Sequence, residues 1–203
     1  MTPAEFTALL VLTSVASFTP GPNNTLSTAL GANLGLKRSL RFVFAVPIGW
    51  GLLFSVCAGG VGAIVVAVPS LRFSIKLIGV LYLLWLAVKL ARSGTMAQAD
   101  TAQLKVTFWQ GVLLQFVNIK AWMLALTVVA GWLAGREDAL SRFGVVLPVL
   151  LVFGLASNLT YALMGSLLRD WLSGPHNSGL RLRWFNRGMA AVLAATAAWM
   201  STF

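Results

Sequence analysis

The sequence has few of the residues that metal sites and most catalytic sites require. Its 203 residues include one cysteine, Cys57, one histidine, His176, and five acidic side chains. One cysteine excludes an internal disulfide and a thiolate metal site, and one histidine excludes any motif that needs two. No P-loop is present, so the chain does not power itself with ATP. No cofactor is expected, and this inventory of side chains argues against a metal permease and against a membrane-embedded enzyme.

Charged residues are scarce as well. They make up 10% of the chain, while apolar side chains reach 58%, and an average soluble domain has about 25% charged residues. So few charges cannot cover a soluble globule, and we therefore predict a membrane protein. In a soluble protein the net charge of +10 would suggest a nucleic-acid partner. Here the basic residues form short clusters between uncharged runs, which fits an anionic membrane face, so the lipid bilayer is the expected partner and nucleic acid is not.

Six uncharged stretches indicate where the chain crosses the membrane. They are residues 6–36, 42–71, 77–88, 106–119, 143–168 and 188–203. A helical span needs about 20 mainly apolar residues, a length that the first, second and fifth stretches exceed. The third stretch reaches this length over residues 71–90, because lysines at its ends can snorkel to the membrane surface. The fourth stretch is long enough when it continues to residue 135. The sixth is long enough when Trp184 and Arg187 are included at the interface. We predict an all-α polytopic membrane protein with six transmembrane helices.

The positions of Lys and Arg predict the orientation of these helices. Ten lie in the connections after the first, third and fifth helices: Lys37, Arg38, Arg41, Lys89, Arg92, Lys105, Arg169, Arg181, Arg183 and Arg187. Four lie in the other connections: Arg72, Lys76, Arg136 and Arg142. Cytoplasmic loops carry the excess of basic residues, so both termini are expected on the periplasmic side. Because no Lys or Arg precedes the first helix, we expect it to be retained rather than cleaved as a signal peptide.

A polar linker at residues 93–104 divides the single domain, residues 1–203, into halves of residues 1–92 and 105–203. Each half holds three predicted helices. Because three is an odd number, the second half enters the membrane with the opposite polarity to the first. Two inverted halves are a known architecture of secondary transporters. The alternative is that three plus three is chance, since the halves show no clear residue-level repeat.

The first predicted helix contains a helix-breaking run in its middle: Thr19, Pro20, Gly21, Pro22, Asn23 and Asn24. Residues 6–36 as one helix would be roughly 46 Å long, against a hydrocarbon core of about 30 Å. Both prolines remove a backbone donor and Gly21 allows unwinding, so we predict two half-helices with unwound backbone between them. With an N-cap at Asn23 or Asn24, the second half-helix would offer its first N–H groups to an anion. The alternative is a kinked packing helix whose asparagines cap the freed carbonyls.

Lys120 is the only charged residue between positions 106 and 135. In a continuous helix starting at Phe108 it would lie roughly 18 Å along the axis, where a charge is unfavourable unless it is paired or hydrated. Gln115 and Asn118 precede it and could line the same cavity. A protonated Lys120 can hold a substrate carboxylate, and a desolvated one can exchange protons. The alternative is a helix that begins near Asn118, with Lys120 snorkelling to the cytoplasmic face.

A further group of polar residues lies in the fifth predicted helix. Its members are Ser157, Asn158, Thr160 and Tyr161. These side chains either face a transport pathway or form hydrogen bonds between helices. The sequence favours neither role over the other.

Four motifs in this chain resemble those of the LysE/RhtB family of bacterial amino-acid exporters. In chain order they are the run from Thr19 to Asn24 (Pro-Gly-Pro), Gly31 with Gly35, the third-helix G-x-x-Y-L at Gly79, Tyr82 and Leu83, and F-x-x-G…N-P-K at Phe108, Gly111, Asn118 and Lys120. The resemblance covers nearly the whole chain. Ile119 stands where the family has proline, so the resemblance does not extend to a proline break in the fourth helix. The TPGPNN and FW…LLQFVNIK segments look most like the cysteine/O-acetylserine efflux branch.

The resemblance implies export of a small amino acid across the bacterial inner membrane, driven by the proton gradient. The substrate carboxylate would bind the N–H groups after Pro22 and Lys120, with directional hydrogen bonds from Asn23, Asn24, Gln115 and Asn118. No acidic residue lies deep in a predicted span, so a neutral substrate of the cysteine, O-acetylserine, threonine or homoserine type is expected. The other expected partner is a proton, and a homo-oligomer is left open. A non-transporting subunit, the remaining alternative besides a cation permease, would have no cavity between Pro20 and Lys120.

Overall fold

The computed structural model describes residues 1–93, 106–174 and 179–202, and the regular structure within these ranges is entirely helical. The helices are α1 (Pro3–Phe18), α2 (Pro22–Leu34), α3 (Leu36–Ala58), α4 (Val61–Ala67), α5 (Pro69–Arg92), α6 (Phe108–Val117), α7 (Ile119–Val128), α8 (Ala139–Leu167), α9 (Arg169–Ser173) and α10 (Leu180–Ser201). A π-helical turn, Val129–Leu133, extends α7. Nearly all of the predicted linker lies outside the described residues, as does His176.

Local sequence features explain where several helices begin. α1 starts at a capping box, in which the Thr2 hydroxyl accepts from the Glu5 N–H and the Glu5 carboxylate accepts from the Thr2 N–H. α6 starts at the same motif, made by Thr107 and Gln110. Gly35 separates α2 from α3 with φ at +77°, a conformation that favours glycine. The chain can therefore turn sharply between two buried helices.

Three helices, α3, α5 and α8, are each long and apolar enough to cross a membrane. Two bent pairs pass the same test when each is counted as one span: α1 with α2, bent by 51°, and α6 with Ile119–Leu133, bent by 67°. The described residues thus form three to five candidate spans of a multi-pass membrane protein. The helix of the sixth predicted span, α10, is not among them, and Arg181, Arg183 and Arg187 lie in its first half.

The helices of the two halves of the chain are interleaved. α2 packs against α8, α3 packs against both α6 and α8, and α5 packs along α10. Glycines bring backbones together at these crossings: a Cβ on Gly31 would meet the Ala162 carbonyl, and one on Gly165 would meet the Thr28 carbonyl. Interhelical approach of this kind is typical of membrane proteins, in which small residues let helices pack closely.

The break in the first predicted helix lies where the two prolines predict it. α1 ends at Phe18 and α2 begins at Pro22. The predicted asparagine N-cap is wrong: Gly21 occupies the N-cap position, and Asn23 and Asn24 lie inside the first turn of α2. Proline is favoured at the first helical position because its missing N–H has no acceptor there. Pro22 therefore starts the helix before either asparagine.

A second break interrupts the fourth predicted helix, although no proline is present. Asn118 separates α6 from α7 with an extended backbone, φ −90° and ψ 101°. Its side-chain oxygen accepts from the Lys120 N–H at 3.2 Å and so caps the N-terminus of α7. The structure thus contains a matching break in each half of the chain, a feature that the sequence alone did not predict.

Candidate functional site

A cavity of about 60 Å³ lies where the two broken helices meet. Six of the nine predicted site residues line it: Gly21, Pro22, Asn23, Asn24, Asn118 and Lys120. Of the other three, Thr19 and Gln115 bond to lining residues, and Pro20 is exposed at the break. A space of this size holds several water molecules when its walls carry polar groups. The cavity is therefore suited to a small polar solute.

The last carbonyl groups of α1 are held by side chains from α2 and α8. Ser157 Oγ donates to the Ser17 carbonyl at 2.6 Å, and Tyr161 OH donates to the Phe18 carbonyl at 2.9 Å. Asn24 Nδ2 donates to the Ser17 carbonyl as well, at 2.9 Å. The final carbonyls of a helix lack intrahelical partners, so these donors stabilise the interrupted end. Ser157 and Tyr161 thus have the interhelical role that was one of the two alternatives for the fifth helix.

Lys120 points into the break and contacts the end of α1. Its Nζ donates to the Thr19 carbonyl at 2.7 Å, and Asn24 Nδ2 donates to the same oxygen at 3.1 Å. The C-terminal end of a helix carries a partial negative charge, so the ammonium group meets the negative end of α1. The snorkelling alternative is correct in that α7 starts close to Asn118, but the lysine side chain reaches toward the first broken helix.

An amide pair makes a second link between the two broken helices. Asn23 Nδ2 donates to Gln115 Oε1 at 2.8 Å, and Gln115 Nε2 donates to Asn23 Oδ1 at 3.1 Å. Gln115 is fully buried in α6 and also donates to the Gly111 carbonyl. Because every polar side-chain atom of this pair has a partner, the pair fixes the start of α2 against α6.

The N-terminal end of α2 faces the same cavity. The first backbone N–H of α2 with an acceptor in that helix is that of Thr25, which donates to the Gly21 carbonyl at 2.9 Å. The N–H groups of Asn23 and Asn24 precede it and have no intrahelical acceptor. Together with Lys120 they make one side of the cavity electropositive, as in helix N-termini that bind anions. Val46, Pro47, Trp50, Leu124 and Leu150 form apolar wall on the other sides.

Gly21 is needed for space rather than for backbone freedom. Its φ is −169°, an extended conformation that any residue adopts, so the backbone at this position does not require glycine. A Cβ at this position would lie 3.3 Å from both Nζ and Cδ of Lys120. The missing side chain of Gly21 therefore leaves room for the lysine ammonium beside the end of α1.

The sequence named Asn158 as a possible pathway residue, but it did not identify two others that shape the cavity, Ser17 and Trp50. Ser17 contributes its carbonyl from the last turn of α1, Trp50 contributes a wall from α3, and Asn158 accepts from Ser27 Oγ at 2.9 Å. Only Asn158 had a sequence signal, as a polar residue in an apolar helix. Ser17 and Trp50 reach the site through packing between distant helices, which a single sequence does not reveal.

A multi-pass membrane protein with two broken helices around a polar cavity has the features of a transporter. The sequence profile of the LysE type translocator family matches residues 14–201, and the chain belongs to this family. It is therefore a membrane transporter and not an enzyme. Over 170 residues it is 31% identical to the cysteine/O-acetylserine efflux proteins of Escherichia coli K12 and Shigella sonnei Ss046, covering 83% of this chain and 86% of each relative. No solved structure matches the chain.

Proposed function

We propose that this protein is a secondary transporter that exports a small neutral amino acid or derivative across the bacterial inner membrane. The observation that carries the proposal is the cavity at the break, which the N-terminal end of α2 and Lys120 both line. The names of the relatives support amino-acid efflux and suggest substrates of the cysteine or O-acetylserine type. Threonine and homoserine have similar size and charge and belong to the same expected class.

The substrate carboxylate binds at the N–H groups that open α2. These groups carry the positive end of the helix dipole, and Asn23 and Asn118 add directional hydrogen bonds, while Asn24 holds the last carbonyls of α1. The α-ammonium group of the substrate lies on the opposite side of the break, at the carbonyl end of α1. The short side chain of the substrate packs against the apolar wall around Trp50 and Leu124.

Selectivity for neutral amino acids follows from the charges around the cavity. No acidic side chain is among the described residues that line it. A lysine or arginine substrate would bring a second positive charge into this cavity, where no described lining residue supplies a carboxylate to balance it. An uncompensated charge inside a membrane protein is strongly unfavourable, so cationic amino acids are poor substrates.

Alternating access is supported by the order and packing of the helices. Each half contains a broken pair, then a long helix, then a third helix: α1–α2, α3 and α5 in the first half, and α6–α7, α8 and α10 in the second. Each broken pair packs against the long helix of the other half, and the two third helices pack together. This reciprocal pattern is the one that two inverted repeats produce, and rocking of one half against the other exposes the site to each side.

The orientation can be tested by labelling single cysteines with a membrane-impermeant thiol reagent. The native Cys57 is buried, so its background labelling is low. Cysteines introduced at the exposed positions Arg38 and Arg183 are expected to react only from the cytoplasmic side, because the basic loops lie there. Labelling of either position in intact cells, before the membrane is permeabilised, would contradict the orientation with both termini in the periplasm.

Export itself is tested by efflux from proteoliposomes that contain the purified protein. Vesicles loaded with labelled cysteine, O-acetylserine, threonine, homoserine, lysine or arginine are followed with and without a pH gradient. We expect efflux of at least one neutral amino acid, accelerated by a gradient that drives protons in the opposite direction. Equal release from protein-containing and empty vesicles for the whole panel would reject amino-acid export.

A further inference from the structure

Lys120 is the only titratable side chain among the described residues that line the cavity. Tyr161 of α8 bonds to the same end of α1 through the Phe18 carbonyl, but it does not line the cavity. The other titratable and charged groups on α1, α3, α5 and α8 also lie away from it; they are Glu5, Lys37, Arg38, Arg41, Cys57, Arg72, Lys76, Tyr82, Lys89, Arg92 and Arg142. A proton carried by the site therefore has one place to reside.

The ammonium group of Lys120 occupies the position that the substrate's own ammonium needs. With the substrate carboxylate at the start of α2, the adjacent α-ammonium is directed to the last carbonyls of α1, because only three residues separate Phe18 at the end of α1 from Pro22 at the start of α2. In the structure the Thr19 carbonyl already accepts from Lys120 Nζ, at 2.7 Å. Two ammonium groups cannot share this small cavity without repulsion. Substrate and protonated lysine therefore compete for one acceptor.

We infer that Lys120 is the proton-coupling residue of the transporter, and that its protonated amine holds the end of α1 only while the site is empty. The inference rests on the proposed function, export driven by the proton gradient. When the substrate binds from the cytoplasm, its ammonium takes the Thr19 carbonyl, and Lys120 releases one proton to the cytoplasmic solution. The neutral amine crosses with the zwitterion. After the substrate leaves, the amine accepts one proton from the outer solution and bonds again to Thr19.

The direction of transport separates the two roles that the sequence allowed for Lys120. If Lys120 stayed protonated in every state, no proton would be exchanged and export would be uncoupled. If it were protonated only with the substrate bound, each exported amino acid would carry a proton outward, and the inward proton gradient would oppose export. If Lys120 is charged only in the empty protein, one proton enters for each zwitterion that leaves. This cycle also moves one positive charge inward per substrate, so a membrane potential, negative inside, drives export as well.

Substitutions of Lys120 separate coupling from binding in proteoliposomes. With labelled O-acetyl-L-serine or L-threonine, counterflow without a pH gradient measures binding and translocation, and accumulation into acid-interior vesicles measures coupling. We expect Lys120→Met to retain counterflow and to lose accumulation roughly tenfold or more, because a neutral side chain leaves the cycle uncoupled. Lys120→Arg should lose both, because guanidinium does not release its proton. Lys89→Met removes a lysine that lies over the Trp85 ring, outside the cavity, and should retain both activities.

A measurement on the unmodified protein covers the case in which the variants do not fold. Saturating a weakly buffered solution of the detergent-purified protein with either amino acid should release about one proton per molecule bound. Three results would each overturn the inference. The Lys120→Met variant could retain accumulation, or it could lose counterflow together with accumulation. The third such result is that the unmodified protein releases no proton. Failure of the unmodified protein to catalyse counterflow with any amino acid would instead reject the proposed function.

Discussion

Replacing Gly165 by alanine is expected to prevent most of the protein from reaching its folded state. Gly165 lies where α8 crosses α2, and a Cβ there would collide with the Thr28 carbonyl and approach the Ala32 nitrogen. Neither atom belongs to a flexible side chain, so the two helices must separate. Overpacking of a rigid contact destabilises a protein by about 1–3 kcal/mol, and separation of the backbones puts this substitution at the upper end. The yield of monodisperse protein after purification measures the effect.

Gly144→Ala provides a matched control in the same helix. Gly144 is exposed, and a Cβ built on it meets no atom within 4 Å. Alanine is favoured over glycine inside a helix by about 0.5–1 kcal/mol, so this variant should be at least as abundant as the unmodified protein. If the two alanine variants were equally abundant, the close approach of α2 to α8 would be wrong.

Substitution of Gly21 should slow transport while the protein stays folded. The backbone of Gly21 is extended, so valine is compatible with it, but the added side chain would occupy the space beside Lys120 Nζ and narrow the cavity. The atoms that must move belong to the end of a flexible lysine, which limits the loss of stability. We expect Gly21→Ala to reduce the rate of counterflow and Gly21→Val to reduce it by roughly tenfold or more.

Gly188→Ala is the control for this series, because a Cβ at Gly188 in α10 also meets nothing within 4 Å. Its abundance and counterflow should equal those of the unmodified protein. Counterflow by Gly21→Val at the unmodified rate would show that the space beside Lys120 is not used by the substrate. A graded loss from alanine to valine would agree with a steric effect at the site.

The first break could be predicted from the sequence because its cause is local. Pro20 and Pro22 each lack a backbone donor, so no helix passes through them undisturbed. The N-cap could not be chosen in the same way, because asparagine and proline both favour helix starts but at different positions. Pro22 takes the first helical position and leaves the asparagines free for contacts with α1 and α6. Those contacts join residues far apart in the sequence, and local preferences do not report them.

The second break depends on one side chain and on packing. Asn118 caps α7, and Ile119 in the family's proline position carries no signal for an interruption. Gly79 of α5 packs against the Val117 carbonyl at the end of α6, beside the bend. A single sequence does not show which residue packs beside the bend or from which side it approaches. The depth of Lys120 could not be decided for the same reason, since it depends on where α6 stops and α7 starts.

Substrate protection of an introduced cysteine tests most directly whether the substrate occupies the cavity between the two breaks. Leu124→Cys places a thiol on the cavity wall, and Glu137→Cys places one on the exposed connection before α8. Saturating O-acetyl-L-serine or L-threonine should slow the reaction of the Leu124→Cys variant with a water-soluble thiol reagent roughly fivefold or more and leave the other variant unchanged. An unchanged rate for Leu124→Cys, at a concentration that saturates transport, would contradict a substrate site at this position.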